Sequence, residues 1–283
     1  MRFFDALWRV GLRVINLGKR LNLPGAVQRL AYYFAGNFPS YKAEVLVKLP
    51  FGLTMLVPPS FPGARSYVTG FYEPEVTNLL LSKLKQGMTF VDIGAFVGYY
   101  TLLGSKCVGS SGKVYSFEPH PVNYAYLLKN IKINRCSNVV AVNKAVSNFT
   151  GSGYLTIDKE ADHHRVTFQP SYANTIEVQT ITLDDFFASC ENTQIDLIKM
   201  DIEGHEIFAL QGMKEIVRKN PNLQLIMEFD PHKQKQHMLS LNTLLQELGF
   251  VRGYVIERKL REFNLREGFP TRGGVINLLL RRT

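Results

Sequence analysis

Apolar and polar positions along this chain follow two rhythms, and the change between them marks its organisation. From residue 89 onward, short apolar runs recur between glycines, prolines and acids, and each reads as a buried strand. Strands are expected near 89–94, 113–118, 138–146, 195–200, 223–229, 251–258 and 274–281, with helical periodicity between most of them. Such β/α alternation predicts a parallel, doubly wound α/β sheet. Residues 151–181 interrupt it: Gly151-Ser152-Gly153 leads into short runs at 154–157, 164–168 and 176–181, which predict an antiparallel insertion beside the sheet.

The first 65 residues are patterned differently and are read as an extension, with the main domain at 66–283. Along 1–22, Arg2, Arg9, Arg13 and Arg20 share one side of a helix, while Phe3, Phe4, Leu7, Val10, Val14, Ile15 and Leu21 gather opposite and Trp8 lies at the edge. A helix lying in an anionic membrane surface is built this way, and so is one docking on a neighbouring domain or second subunit; both readings stay open. Arg9 and Arg13 interrupt any signal-peptide core, and no small-residue cleavage site follows. Pro24-Gly25 breaks the helix and a second helical stretch runs to about Gly36. Alternation from Ala43 to Val57 around Phe51-Gly52 predicts a β-hairpin, Pro58 to Gly63 a linker, and Glu75 to Lys85 a helix.

Composition refines this picture. A chain of 283 residues, 46% of them hydrophobic, suffices for one sizeable α/β domain plus an extension. Cys107, Cys136 and Cys190 show no paired spacing, so neither a disulfide framework nor a zinc site is suggested and a reducing, cytoplasmic compartment is the default. The net charge of +9 sits at the ends: residues 1–30 carry six basic residues against Asp5, and 251–283 carry eight against three acids. Basic ends around a near-neutral middle fit an anionic surface at least as well as a nucleic acid. No apolar run reaches the ~18 residues of a membrane-spanning helix.

Four polar clusters fall at expected strand ends, where open α/β sheets bind ligands. They are Asp92 to Gly98, then Glu118-Pro119-His120, then Lys199 to Glu206, and Glu228-Phe229-Asp230-Pro231-His232. In the first, Asp92, Gly94 and Gly98 form D-x-G-x-x-x-G, with Phe96 where a dinucleotide fingerprint requires glycine. Glu118 follows at the next strand end, where a carboxylate can accept both ribose hydroxyls. This form resembles the S-adenosylmethionine (SAM) loop of class I methyltransferases.

The chain further resembles the FkbM family of SAM-dependent methyltransferases over residues 66–280. The match is carried by Tyr72-Glu73-Pro74-Glu75, Asp92-Ile93-Gly94-Ala95 with Gly98-Tyr99-Tyr100-Thr101, Phe117-Glu118-Pro119 with Asn123 and Asn130, Leu183-Asp184-Asp185, and Ile198-Lys199-Met200-Asp201-Ile202-Glu203-Gly204 with Glu206. The resemblance implies a class I methyltransferase, Rossmann-like doubly wound sheet of seven strands with the last antiparallel. It also implies O-methylation of a sugar, glycolipid or other hydroxylated metabolite. By the same resemblance Asp92, Gly94 and Gly98 hold the methionine part of SAM and Glu118 the ribose, with Ala95, Tyr100, Thr101 and Pro119 also counted among the cofactor-binding residues. The family commonly has Asn where this chain has Phe96.

An alcohol needs a base to become a nucleophile, and His205 suits the task by its ordinary pKa, while Asp201 or Glu203 would need burial and like charge. Lys199, two residues before Asp201, lies on the same strand face and is expected to pair with it. A divalent cation shared by Asp201, Glu228 and Asp230 is the alternative, not the favoured one. His163-His164 reads as loop surface. Against an RNA methyltransferase, the fourth strand end carries acids and no N-P-P-Y motif. Against a non-catalytic module, Asp92, Gly94 and Glu118 are intact.

Overall fold

The computed structural model describes residues 44–49, 51–58, 66–67, 72–156, 165–167, 175–188, 190, 193–270 and 274–282. The readings for 1–22, the helix to Gly36, most of the 58–63 linker and His163-His164 lie outside them. The chain divides into two compact units, 1–74 and 75–283, a few residues beyond the sequence boundary at 65/66. In the first unit, β1 (Val45–Lys48) and β2 (Thr54–Val57) pair antiparallel, Val45 against Val57. Gly52 turns the hairpin at φ 86°, a backbone state that side chains other than glycine rarely accept. No described helix is long and apolar enough to cross a membrane.

The second unit is built on an eight-stranded sheet. Its strands are β3 (Thr89–Ile93), β4 (Lys113–Phe117), β5 (Val139–Val142), β10 (Leu197–Met200), β11 (Gln224–Phe229), β12 (Arg252–Val255), β13 (Arg261–Asn264) and β14 (Ile276–Arg281). They lie in the order β13-β12-β14-β11-β10-β3-β4-β5. The five strands from β11 to β5 run parallel, whereas β14 enters antiparallel between β11 and β12. That is the expected seven-stranded sheet, its last strand antiparallel, with one strand added. The addition, β13, pairs antiparallel outside β12. Its sequence, Arg261-Glu262-Phe263-Asn264, is charged and largely exposed, so it carries no apolar alternation to announce it.

The chain steps from β3 outward through β4 and β5, then returns to build β10 and β11 on the other flank. The reversal leaves a crevice at the carboxyl ends of β3 and β10, the place where doubly wound sheets bind ligands. The helices are α1 (Pro74–Lys83), α2 (Tyr99–Val108), α3 (Pro121–Ile133), α4 (Leu183–Ala188), α5 (Glu206–Gln211), α6 (Lys214–Lys219) and α7 (Met238–Glu247). One continuous core joins β3, β4, β10, β11 and β14 to α4, α5, α6 and α7 through Val91, Phe117, Ile198, Met227, Leu241 and Leu278, all fully buried.

The apolar run at 138–146, expected as one strand, is divided. Its first half is β5; its second, β6 (Ala145–Val146), belongs to a separate four-stranded sheet with β7 (Gly151–Thr156), β8 (Arg165–Thr167) and β9 (Thr175–Ile181) in the order β6-β9-β7-β8. Asn143 sits at the break and donates its amide to the carbonyls of Glu118 and Pro119, tying the corner to the end of β4.

Candidate active site

Parallel in-register pairing decides which side chains share a face. Asp92 on β3 pairs with Lys199 on β10 and Ser116 on β4, so these three form one row across the sheet. Two residues further along each strand the same face presents Gly94, Asp201 and Glu118, and the β10–β11 register brings Glu228 beside Asp201. The rim of the crevice therefore reads Glu118, Gly94, Asp201, Glu228 from β4 to β11.

The glycine in that row has a steric reason. Gly94 has φ 82°, and a β-carbon there would overlap the carbonyl oxygen of Asp201 outright. Its N–H and that of Ala95 donate to the Phe117 carbonyl at 3.0 and 2.9 Å, holding the loop against β4. Gly98, at φ 100°, leaves room for Leu127 on α3, whose Cδ1 would stand 2.7 Å from a β-carbon. Phe96 between them is also left-handed, at φ 52°. Asn is among the few residues other than glycine that enter this region readily. The family's Asn therefore has a backbone rationale, and Phe96 carries strain in its place. Asn130, fully buried, donates to the Val97 carbonyl at 2.8 Å and pins the loop to α3.

Asp92 is 1% exposed. Its Oδ2 accepts from the Thr101 hydroxyl at 2.7 Å, while its Oδ1 is buried without a hydrogen-bond partner among the described residues. Burial raises its pKa, against the pull of the Lys199 charge. Glu118 is also buried; its two oxygens accept from the Phe96 and His120 N–H groups at 2.8 and 2.9 Å. Burial pushes its pKa up to about 7, while these backbone donors hold it down. Each carboxylate oxygen has a second lone pair, so both oxygens retain capacity for a ligand's hydroxyls.

SAM carries an ammonium and a ribose diol. A buried carboxylate oxygen lacking a donor, a glycine loop kept free of side chains and a second buried carboxylate one strand away fit these groups. Asp92, Gly94, Ala95 and Gly98 would hold the amino-acid part, and Glu118 the ribose. Pro119 follows half-buried at the strand end, while Tyr100 and Thr101 are buried in the first turn of α2 behind the loop.

On the other flank, Lys199 is 2% exposed, with its ammonium 2.9 Å from Asp201 Oδ2 and 4.6 Å from the Tyr100 ring centroid, so the expected pairing with Asp201 is present. Burying an ammonium is costly unless paired, and the carboxylate and the π-face meet that cost. The chain then turns sharply: Glu203 at φ 59° and Gly204 at φ 97° are both left-handed. Glu206 secures the turn, one oxygen accepting from Ile202 and Gly204 N–H at 3.3 Å and the other from the Gln234 amide. Burial raises its pKa to about 7. Glu203 pairs with Lys233 from the loop after β11. Burial pulls Lys233 down, but the Glu203 hydrogen bond and surrounding carboxylates leave its pKa raised.

The residue types of this turn were legible in the sequence, but their pairing was not. Lys233 and Gln234 stand in an unpatterned turn, and only the fold brings them to Glu203 and Glu206. His205 is 1% exposed, its Nε2 lies 3.0 Å from the Ser147 hydroxyl, and its ring lies 4.7 Å from that of Phe208. This arrangement ties the turn to the end of β6. Asp184 likewise has a folding role: its two oxygens accept from Ile216 and Glu215 N–H at 2.9 and 3.1 Å, capping α6.

Asp201, Glu203 and Glu228 bring carboxylate oxygens within 4.8 Å of one another. Asp230 instead accepts from the backbone N–H of His232 and Lys233. A divalent cation seeks several free oxygens. Here Lys199 and Lys233 already meet two of the three carboxylates, so the set does not fit a resident cation.

The model of the methyltransferase FkbM domain matches residues 92–252. The hexuronic acid methyltransferase AglP of Haloferax volcanii is 26% identical over 141 residues, covering 50% of this chain and 56% of that protein. The chain thus aligns with little more than half the length of that relative. Among solved structures, methyltransferase FkbM from Methylobacillus flagellatus is similar at TM-score 0.47 and 16% identity, over 77% of this chain and 52% of that one. A SAM-dependent methyltransferase from Aquifex aeolicus has TM-score 0.44 and 17% identity, over 75% of this chain and 90% of that one. Because the domain model spans more than half of the chain and includes the glycine loop, Glu118 and the acidic turn, the chain belongs to the methyltransferase FkbM family.

Proposed function

We propose that this protein transfers a methyl group from SAM to a hydroxyl of a sugar, glycolipid or related metabolite. The observation that carries the reading is Asp92 Oδ1, a buried, donorless carboxylate oxygen beside a glycine loop at the sheet's reversal point. When bound, SAM supplies an electrophilic methyl on a sulfonium. The chain's own task is to hold an acceptor oxygen in line with that methyl and to remove its proton. Asp201, Glu203 and Lys199 form the acceptor side, with Asp201 and Glu203 accepting hydrogen bonds from hydroxyls and Lys199 fixing Asp201. We assign His205 to anchoring the turn, because its Nε2 is committed to Ser147 away from solvent.

A rim of carboxylates suits an acceptor that presents O–H donors; an acceptor carboxylate would meet Asp201 and Glu203 with like charge. The relative's name specifies a hexuronic acid, and such a sugar also carries hydroxyls, so a methyl ether is the expected product. The N-terminal pattern at 1–22 supports attachment to an anionic membrane face, where a glycolipid acceptor would lie.

Deleting the gene in its host and comparing glycans and lipids by mass spectrometry tests the reading. One species should lose the mass of a methylene group and regain it when the purified protein and tritiated SAM are added to the extract. An extract that takes up no label, with wild-type SAM binding confirmed by calorimetry, would refute it.

A further inference from the structure

Of the three carboxylates that converge on the acceptor side, two are neutralised. Asp201 pairs with Lys199 and Glu203 with Lys233. Glu228, the last side chain of the rim, has no hydrogen bond and no ion pair among the described residues, although its oxygens lie within 4.8 Å of both other carboxylates. It belongs to β11, two strands from the Asp92 strand and three from Glu118, so it stands on the acceptor's flank of the crevice. It is partly buried, and its neighbour on β14 is the uncharged Asn277.

We propose that Glu228 is the group that takes the acceptor's proton, an inference resting on the function proposed above. Asp201 and Glu203, each held by a lysine, are left to orient the acceptor. The remaining carboxylate makes no ion pair of its own among the described residues, and the two acids beside it favour its taking up a proton. In the transfer, the acceptor's O–H bond breaks and its proton passes to a Glu228 oxygen. The electron pair left on oxygen forms the bond to the methyl carbon, and the carbon–sulfur pair stays on sulfur. One sulfonium and one carboxylate thus become a neutral thioether and a neutral acid, and Glu228 later returns its proton to water. Transfer in this pocket removes a charge pair and leaves no net charge behind.

The groups facing Glu228 support this. Asp201, Glu203 and Glu206 come from the turn after β10, Lys199 from β10 itself, and Lys233, which Asp230 also attracts, from the loop after β11. Burial first, and then the charges of Asp201 and Glu203, raise the Glu228 pKa to about 9 against the opposing pull of Lys199. A glutamate unfolded near 4.5 and folded near 9 binds more protons in the folded state between those values. Stability from this group is therefore greatest below about pH 4.5 and falls as pH rises towards 9.

The variant Glu228→Gln copies the neutral acid in size and separates the outcomes. With the acceptor fraction from the deletion strain and tritiated SAM, wild-type protein should label the acceptor at a rate that climbs with pH towards 9. Glu228→Gln should lose ~10²-fold or more of this rate together with its alkaline rise. Calorimetry should show unchanged SAM affinity. Glu228→Ala with added formate should recover part of the rate. Independently of turnover, the melting temperature of Glu228→Gln should gain on wild type steadily from pH 5 to pH 9, both within the window set by its raised pKa.

If wild type labels the acceptor and Glu228→Gln does so within about threefold, measured against the ~10² expected of a lost base, Glu228 is not the base and the proposed function stands. If Glu228→Gln binds SAM but is inactive, and neither formate rescue nor the pH-dependent melting difference is seen, Glu228 is only a packing residue and the proposal fails. If wild type itself labels nothing, both proposals fall together.

Discussion

At the scale of single residues, Glu118 and His205 show how burial assigns work. Glu118 has spent one lone pair of each oxygen on the backbone of the glycine loop and of His120, so it shapes the loop, and in the proposed function it would also meet the ribose. Glu118→Ala should weaken SAM binding by roughly 2 to 4 kcal/mol, the worth of two charge-assisted hydrogen bonds. Unchanged affinity by calorimetry in a folded variant would remove Glu118 from the ribose site. Because the charged carboxylate is the better acceptor and its pKa is raised to about 7, wild-type affinity for SAM should also decline as pH falls below that value. His205 is different. Its residue type and place in the acidic turn make it a natural candidate base, but those features do not foretell Ser147, 58 positions earlier in the chain, as its partner. His205→Ala should leave the Ser147 hydroxyl only its longer bond to Asn148 Oδ1, at 3.4 Å, and cost about 1 to 3 kcal/mol of stability in chemical denaturation. Turnover in surviving folded protein should stay within about tenfold, since general-base loss typically costs 10² or more. A larger loss, recovered by external base, would return the catalytic role to His205.

At the scale of elements, the strands that build the crevice were legible because they are buried on both faces and read as continuous apolar runs. The strands that were missed or merged lack that signature. In β13, two of four residues are charged, and its pairing partner β12 is itself near the sheet edge, so burial wrote no pattern into it. The run at 138–146 was apolar throughout, and apolarity alone cannot say that its two halves serve different sheets. The glycine loop was legible for a physical reason visible in the sequence, since glycine enters such backbone paths at least cost, but the object it avoids was not. That object is the Asp201 carbonyl at the end of the neighbouring strand, more than a hundred residues later. Gly94→Ala should therefore do more than block a cofactor. The added methyl forces the ends of β3 and β10 apart and sets an alanine at φ 82°, so a loss of about 3 kcal/mol or more is expected, with SAM binding abolished. Thermal melting close to wild type would show that the two strand ends are not held this tightly.

At the scale of the whole molecule, charge is divided between a rim of carboxylates in the second unit and strongly basic chain ends. Within the rim, Lys199 and Lys233 pair with Asp201 and Glu203. On the membrane reading proposed above, the excess basic charge of the ends would meet an outside partner. Of the two ends, residues 1–30 carry four arginines at helical spacing opposite an apolar set, which on that reading would add buried hydrocarbon to the charge attraction. Near an anionic leaflet each basic residue contributes ~1 kcal/mol, which is reversible attachment that salt should weaken. Removing residues 1–22 should release the protein from anionic liposomes at low ionic strength while SAM affinity is retained, because every residue assigned to the cofactor lies between Asp92 and Pro119. Neutral liposomes should bind the full chain far less. If the full-length protein ignores anionic liposomes, and truncation instead causes aggregation or splits a dimer in light scattering, the apolar face of 1–22 packs on protein and the arginines are its solvated side.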